Sequence, residues 1–561
     1  MARENVIESA AFKKGDDVSV VERRVSGIEI TEHSASGHAI ERVPTGIAAF
    51  VGRTLKGPVN RPIPVTSFVE FQHIFGGLWQ PSTLSYAVEQ FFENGGTQAF
   101  IVRVTNGAKP PTLALRAGAE QLHLRGVQPG SREYLRASVD YDGIPDEEPD
   151  RFNLILQRVR SAGSELIEEQ EIFRRLSVLP ESGRLVSDVL LDSRLLRVVG
   201  CLPPQRPDRT VRSPGSPLID YVHSNSDGDD GGPLTDYDII GSAAEGTGLF
   251  ALSATTGFNL LCIPPLAREQ DVGLSTLLIA ARFCREQHAI LLVDPPSGWT
   301  SPRRALDELR AWPFRSENAV MYFPRVLAFD RLRGRPEVFG SCGAAAGMIA
   351  RSDETWPVWS AAESEDFILR PGLRPACAVA EPERTRLAQV GVNTLLAVRS
   401  STRPGLSPRT LAASSSGCPD WRFLSARRLA LFITASIERG TRWMIYEQNA
   451  SAAWQRAQAQ VASFLDSLDQ QGAFAGSTSD ESYFVITDDR VNEARTVAEG
   501  KAKVLFGFAI SKPCDFHAWV LTHQAGGSHV LKASPNRHTT SQRRLEWEIE
   551  TSILRGVKLE P

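Results

Sequence analysis

The sequence predicts a multidomain chain of α/β and α+β units, with a β-containing insertion and an extended arm at each end. Three observations carry this. Short apolar runs bounded by turn residues alternate with amphipathic helical stretches over 46–104 and again over 241–420. Between them, 106–240 is broken by Pro110-Pro111, Gly130, the acidic run 142–150 and the proline-rich run 203–217. The last third then holds two long helices with apolar faces, followed by strands.

Composition narrows the function. The 561 residues carry 62 Lys+Arg against 66 Asp+Glu, a net charge of -4, with 42% hydrophobic and 23% charged residues. That is an ordinary folded composition of about four domain-sized units. No basic field exists of the kind that binds nucleic acid. No apolar run reaches the ~18 residues of a membrane-spanning helix. The first 30 residues mix both charge signs, and no signal peptide is visible. Seven cysteines, at 201, 262, 284, 342, 377, 418 and 514, include no CxxC pair. A reducing compartment without disulfides or a zinc site is expected.

Taken in order, residues 1–24 form an arm in which Val18, Val20 and Val21 are the strand-like part. Such a segment cannot offset its own ordering entropy, so it is disordered or docked. Short buried strands are expected at 28–31 and 46–52. Leu84, Ala87, Val88, Phe91 and Phe92 make one helical face, capped by Ser82 or Thr83 and ended by Gly95-Gly96. A strand at 99–104 completes the first core part, 25–105. The insertion, 106–240, holds an alternating strand at 152–159. The second core part, 241–420, places strands at 260–263, 289–293, 319–323 and 393–398, with a helix at 274–287. The C-terminal α+β unit, 421–524, begins with a helical stripe (Leu429, Phe432, Ile433, Ile437) that stops at Gly440. A second helix presents Trp454, Ala457, Val461, Phe464, Leu465 and Leu468. Strands at 483–487 and 504–510 flank a helix at 491–501, and 516–524 is the final core strand. In the 525–561 extension, Leu545, Trp547 and Ile549 alternate with glutamates, which reads as a strand. The polar linker 532–543 reaches up to ~40 Å when extended, far enough to carry that strand to another subunit.

Chemical signatures are sparse. Asp294 ends an apolar strand, where α/β enzymes often place a metal ligand or activating acid; a simple Asp294-Pro295-Pro296 turn explains it as well. Asp227, Asp229, Gly232 and Asp238 only loosely match a calcium loop, since position twelve lacks the bidentate Glu. Residues 340–347 (GSCGAAAG) lack phosphate-loop spacing and suit close packing. His517 and His523 share a strand face without a third ligand. No GxxxxGK[ST], HExxH or GxSxG occurs, and neither catalytic residue, cofactor nor metal is expected.

Several stretches resemble the contractile tail sheath family of phage tails and phage-tail-like injection systems. They are 26–32 (SGIEITE), 52–58 (GRTLKGP), 68–77 (FVEFQHIFGG), 91–104 (FFENGGTQAFIVRV), 171–176 (EIFRRL), 427–449 (RRLALFITASIERGTRWMIYEQN) and 510–516 (ISKPCDF). Their order and spacing span roughly 26–524. In 427–449 the similarity implies a paired arginine, a helix and then a strand ending in Asn. Residues 353–375 keep Asp353 and Trp359 but lose the family's usual Gly and Pro pattern.

The resemblance implies a non-enzymatic subunit that polymerises as stacked rings, hexameric by analogy, around an inner tube and contracts to drive that tube through a target envelope. Implied partners are other copies or sheath paralogues, the tube, baseplate and cap proteins, with neither nucleic acid nor membrane insertion. Assembly is expected in the cytoplasm, as part of a tail or tail-like particle. Intersubunit strands are expected from Val18, Val20 and Val21 at one end and Leu545, Trp547 and Ile549 at the other, joining the C-terminal unit in one sheet. Arg490, Arg495, Lys501 and Lys503 are candidates to face the tube, against a plain solvated helix face. The insertion is expected on the outer sheath surface, with a decoration or a target-facing module as alternatives. Phage tail and injection-particle sheaths remain alternatives, as do a passive scaffold and an α/β enzyme using Asp294.

Overall fold

The computed structural model describes residues 20–25, 28–33, 39–181, 183–211, 220–360, 368–397, 406–412, 419–447 and 450–533. Val18, Leu545, Trp547 and Ile549 therefore lie outside the described residues. The chain divides into one unit of residues 1–42 and 433–561 and another of residues 43–432.

Strands β1 (Val20–Val25) and β2 (Ile28–His33) form an antiparallel hairpin in register Val20↔His33 to Val25↔Ile28. This corrects the reading of 28–31 as a buried core strand: among the described residues it pairs only with 20–25, in a two-stranded sheet.

The larger unit begins with β3 (Ala48–Gly52) and β4 (Ile63–Val65), helices α1 (Phe68–Phe75) and α2 (Thr83–Glu93), and β5 (Ala99–Arg103). Ser82 caps α2 by accepting the Ser85 N–H, and Gly95 follows its end at φ +106. The alternation that marks a half-buried sheet then sets in. Strands β6 (Thr112–Ala117), β7 (Glu120–Gly126), β8 (Tyr134–Asp140), β9 (Arg151–Val159), β10 (Ile167–Ser177), β11 (Leu196–Val198) and β12 (Val222–His223) build two sheets, ordered β10-β9-β8-β12 and β11-β7-β6. Their inward side chains, among them Leu115, Leu124, Val139, Phe152, Leu154 and Leu156, make a core of their own.

The chain then returns to the first sheet. It adds β13 (Leu260–Cys262), β14 (Ile290–Val293), β15 (Ala319–Phe323) and, beyond the β16 (Val326–Asp330)–β17 (Arg335–Phe339)–β18 (Arg374–Pro375) ribbon, β19 (Val392–Thr394). The seven-stranded order is β19-β15-β14-β13-β3-β5-β4, parallel except for β4 against β5. Alternate strand residues serve opposite faces. Phe50, Cys262, Leu292 and Tyr322 pack against α2 and the helix Cys342–Thr355. Val51, Leu261, Val293 and Met321 pack against the helix Leu274–Glu286 and the helix Pro302–Ala311. The result is a three-layer α/β core.

Residues 340–347 do serve close packing. A Cβ at Gly343 would lie 2.1 Å from the Ala87 carbonyl oxygen, and one at Gly347 2.4 Å from that of Phe91. Helix 342–355 thus meets α2 backbone to backbone.

Helix Leu424–Gly440 spans the boundary of the two units. It is followed by a short 3-10 turn, Arg442–Ile445, not by the strand the sheath resemblance implied; the Thr441 hydroxyl donates back to the Ile437 carbonyl and continues helical curvature. Helix Ser451–Asp469 buries Ala457, Val461, Phe464, Leu465 and Leu468, with Trp454 half-buried. The last sheet runs β20 (Tyr483–Ile486), β21 (Ala502–Ala509), β22 (Phe516–Gln524) and β23 (Gly527–Ala533) in that spatial order. The helix expected over 491–501 shrinks to Ala494–Ala498, because the Asn492 amide is spent bridging the Thr487 and Lys503 carbonyls. β22 is not the final strand: Ala525 and Gly526 turn the chain, Gly527 takes φ +130, and β23 pairs along β22.

Gly347→Ala gains helix propensity of up to ~1 kcal/mol, yet here its methyl meets backbone that cannot swing aside. A net loss of about 1–3 kcal/mol in denaturant unfolding is expected.

Candidate functional site

The residues singled out by sequence fall into four places. The first is the strand end at Asp294. The residue is half-buried, with Oδ2 shut off from water, and Oδ1 accepts the Cys342 N–H at 2.8 Å and the Ser341 N–H, so it caps the helix Cys342–Thr355 from outside. Burial pushes its pKa up, opposed by Arg325 and these hydrogen bonds. Gly340 is required beside it, since a Cβ there would sit 2.5 Å from Oδ2. Arg325 donates to the Pro295 carbonyl at 2.8 Å and pairs with Asp271. Among the described residues, no group of three or more His, Cys, Asp or Glu is placed to hold a metal.

The second place is the acidic loop 227–238, whose carboxylates brace turns. Asp227 accepts from the Thr112 N–H at 2.8 Å and from its hydroxyl at 2.5 Å, Asp230 accepts from Ser131, and Asp238 shares a capping box with Thr235. Those hydrogen bonds from Thr112 hold the Asp227 carboxyl below its usual pKa.

The third is the paired arginine, which sequence reasoning matched as a motif without finding its role. Arg427 donates to Asn318 Oδ1 at 2.6 Å, pairs with Glu317 at 3.1 Å and lies 5.1 Å over the Trp421 ring. Arg428 forks onto Asp353, with one bond of 2.8 Å, and donates to the Thr45 carbonyl at 2.9 Å. Asp353 and Arg428 are both nearly excluded from water. This pair joins the segment entering β3, helix 342–355 and helix 424–440.

The fourth is the C-terminal sheet. Phe506, Phe508 and Trp519 stack on one face, with Phe508–Trp519 centroids 4.9 Å apart. Phe484, Leu505, Phe516 and Val520 fill the other. His523 is buried between the Thr441 hydroxyl at 2.8 Å and the Ser528 hydroxyl at 2.7 Å, and desolvation lowers its pKa to about 4. His517 remains half-buried near Trp519. β23 is a sheet edge, with one side hydrogen-bonded to β22 and no strand on its other side among the described residues. Val20 and Val21 lie in β1, which pairs only with β2 among the described residues.

The four basic candidates surround the 488–503 turn, and three of them are tied to local carboxylates. Arg490 binds Asp488 at 2.6 to 3.1 Å, while Arg495 and Lys501 share Glu499 at 3.2 and 2.8 Å. Hydrogen bonds from Lys501 and then Arg495 lower the Glu499 pKa. Lys503 reaches the Thr496 hydroxyl at 3.4 Å.

No family model and no curated protein matches the chain. Solved structures do. The sheath complex of the extracellular contractile injection system PVC, in its contracted state, is 15% identical with a TM-score of 0.50, over 88% of this chain and 95% of that one. A chain of the anti-feeding prophage baseplate is 16% identical with a TM-score of 0.50, over 88% and 96%. The sheath tail protein of Listeria innocua is 11% identical with a TM-score of 0.54, over 89% and 96%. The chain thus has the fold of contractile tail sheath proteins, across nearly the whole length of each.

Two outcomes follow. Arg428→Met leaves Asp353 buried and unpaired, at an expected cost of about 3–5 kcal/mol in denaturant unfolding, and adding Asp353→Leu restores part of it. The folded-state pKa of His523 lies below the usual value near 6.5, so the unfolded chain binds more protons between the two. Stability is full above pH 6.5 and falls by about 3 kcal/mol as pH drops to 4. His523→Gln flattens that slope in melting curves taken across the interval.

Proposed function

We propose that the protein is a structural, non-catalytic subunit of a contractile sheath. The reading rests on one observation: similarity to the PVC sheath chain and the Listeria sheath tail protein covers 88–89% of this chain and 95–96% of theirs, leaving little room for a separate catalytic module. In this reading copies stack as rings around an inner tube, meet a baseplate at one end and a cap at the other, and shorten to push the tube through an envelope. The assembly forms in the cytoplasm, within a phage tail or a tail-like injection particle.

Contraction asks for bodies that reorient without separating. The three-layer core, held by the Arg428–Asp353 pair and the α2 crossing, supports rigidity. Continuity between bodies is assigned to strands exchanged between neighbours. A two-stranded hairpin such as β1–β2 is marginal alone in water, so it calls for a surface to pair with. The unpaired edge of β23 is a surface of that kind, and each ladder bond contributes a net ~0.5–1.5 kcal/mol. Residues 534–561, with Leu545, Trp547 and Ile549, are the other proposed arm, and Val18, Val20 and Val21 belong to the first. The insertion with its separate core is assigned to the outer surface. Tube contact by Arg490, Arg495, Lys501 and Lys503 would act through locally paired, screened charge, which suits a grip that must release.

Electron microscopy of purified particles tests the reading, with long and short sheaths expected from one preparation; a single fixed length overturns contraction. Removal of 534–561, or of 1–24, is expected to leave a folded monomer by circular dichroism that does not polymerise in sedimentation. Normal polymerisation of either variant removes that arm from the model.

A further inference from the structure

The cap made by Asp294 uses one carboxylate oxygen. The other, Oδ2, is buried without a hydrogen-bond partner, as are Gln90 Oε1 on α2 and, in the connection after β13, Arg268 Nε and Nη1, of which Nη1 lies 3.6 Å from the Glu337 carboxylate. Asp294, Gln90 and Arg268 line one cavity, bordered also by Arg325 and Cys342. Its volume, counted as the space open to the centre of a water molecule, is about 10 Å³, which is room for one water. Gln90 is only 3% exposed.

The charges around this space are already committed. Arg268 binds Asp330 and lies 3.6 Å from Glu337, and Arg325 binds Asp271. A metal cation would face two guanidinium groups, and an anion would face the Asp294 carboxylate. Two acceptors and one donor around a space of this size match what a single water offers: two O–H donors and free lone pairs. Each buried polar atom left unmatched would cost about 1–3 kcal/mol.

We propose that this cavity is a structural water site, in which one water donates to Asp294 Oδ2 and Gln90 Oε1 and accepts from Arg268 Nε. The water joins the end of β14, α2 and the connection after β13 into one hydrogen-bonded unit beneath the helix Cys342–Thr355. It fills the position at this strand end that an enzyme would keep for substrate or metal. Burial raises the Asp294 pKa, and a water donating to Oδ2 works against that shift.

The test is a map of the full chain at better than ~2 Å, in crystals or in assembled particles. Density for one water within ~3.2 Å of Asp294 Oδ2 and Gln90 Oε1 is the expected result. An empty cavity, a larger or metal-like density, or a Gln90 amide bonded directly to Asp294 overturns the proposal. In Gln90→Leu the water density is expected to vanish while the Ser341 and Cys342 bonds to Asp294 persist. Unchanged water density in that variant removes Gln90 from the site. The wild-type map decides the matter on its own if Gln90→Leu does not fold.

Discussion

Burying a guanidinium is costly unless its donors find acceptors, and Arg428 spends three hydrogen bonds on segments far from it in sequence. Asp353 supplies two carboxylate oxygens and Thr45 a carbonyl, so helix 424–440, helix 342–355 and the entry to β3 are fixed against one another. The neighbouring Arg427 does the same for the loop before β15. Hydrophobic burial is tolerant of small slips, whereas a forked ion pair in a dry site is not. The register of the core is therefore held by directional contacts, and its bulk by apolar ones.

The same division recurs at the α2 crossing. Gly343 and Gly347 let two helix backbones touch, and Asp294 holds the start of the second helix by its free amides. A residue that looks catalytic from its position at a strand end is occupied in restraining a helix whose small side chains would otherwise anchor it weakly. Strand-end acids in α/β folds can serve architecture as readily as chemistry.

Much of this was readable in the chain. Ser82, the 84–92 stripe, the strand at 289–293 and the two long C-terminal helices announce themselves by periodicity, because each buries one continuous face. What escaped is non-local. Nothing near Arg428 says that Asp353, 75 residues away, will be its partner. The strand at 516–524 read as the last of the core, although Ala525 and Gly526 turn the chain into β23. The fold-back of β2 onto β1 was hidden for the same reason: pairing depends on a partner strand, while alternation is a property of one strand only. Asp294 was singled out for its position, but its role depended on amides that arrive 47 residues later.

Among the described residues, β23 is the outermost strand of its sheet and the last stretch before the chain runs on past Ala533. Tension applied to that tail along the strand axis would stress the ladder from Ala518↔Ala533 to Gln524↔Gly527 as a whole, so its bonds would have to fail together. Tension applied across the axis would open them one after another from Ala533. The sheet would then be mechanically anisotropic, stiff to shear and weak to peeling, and the direction of the tail's departure would decide how much force a junction survives.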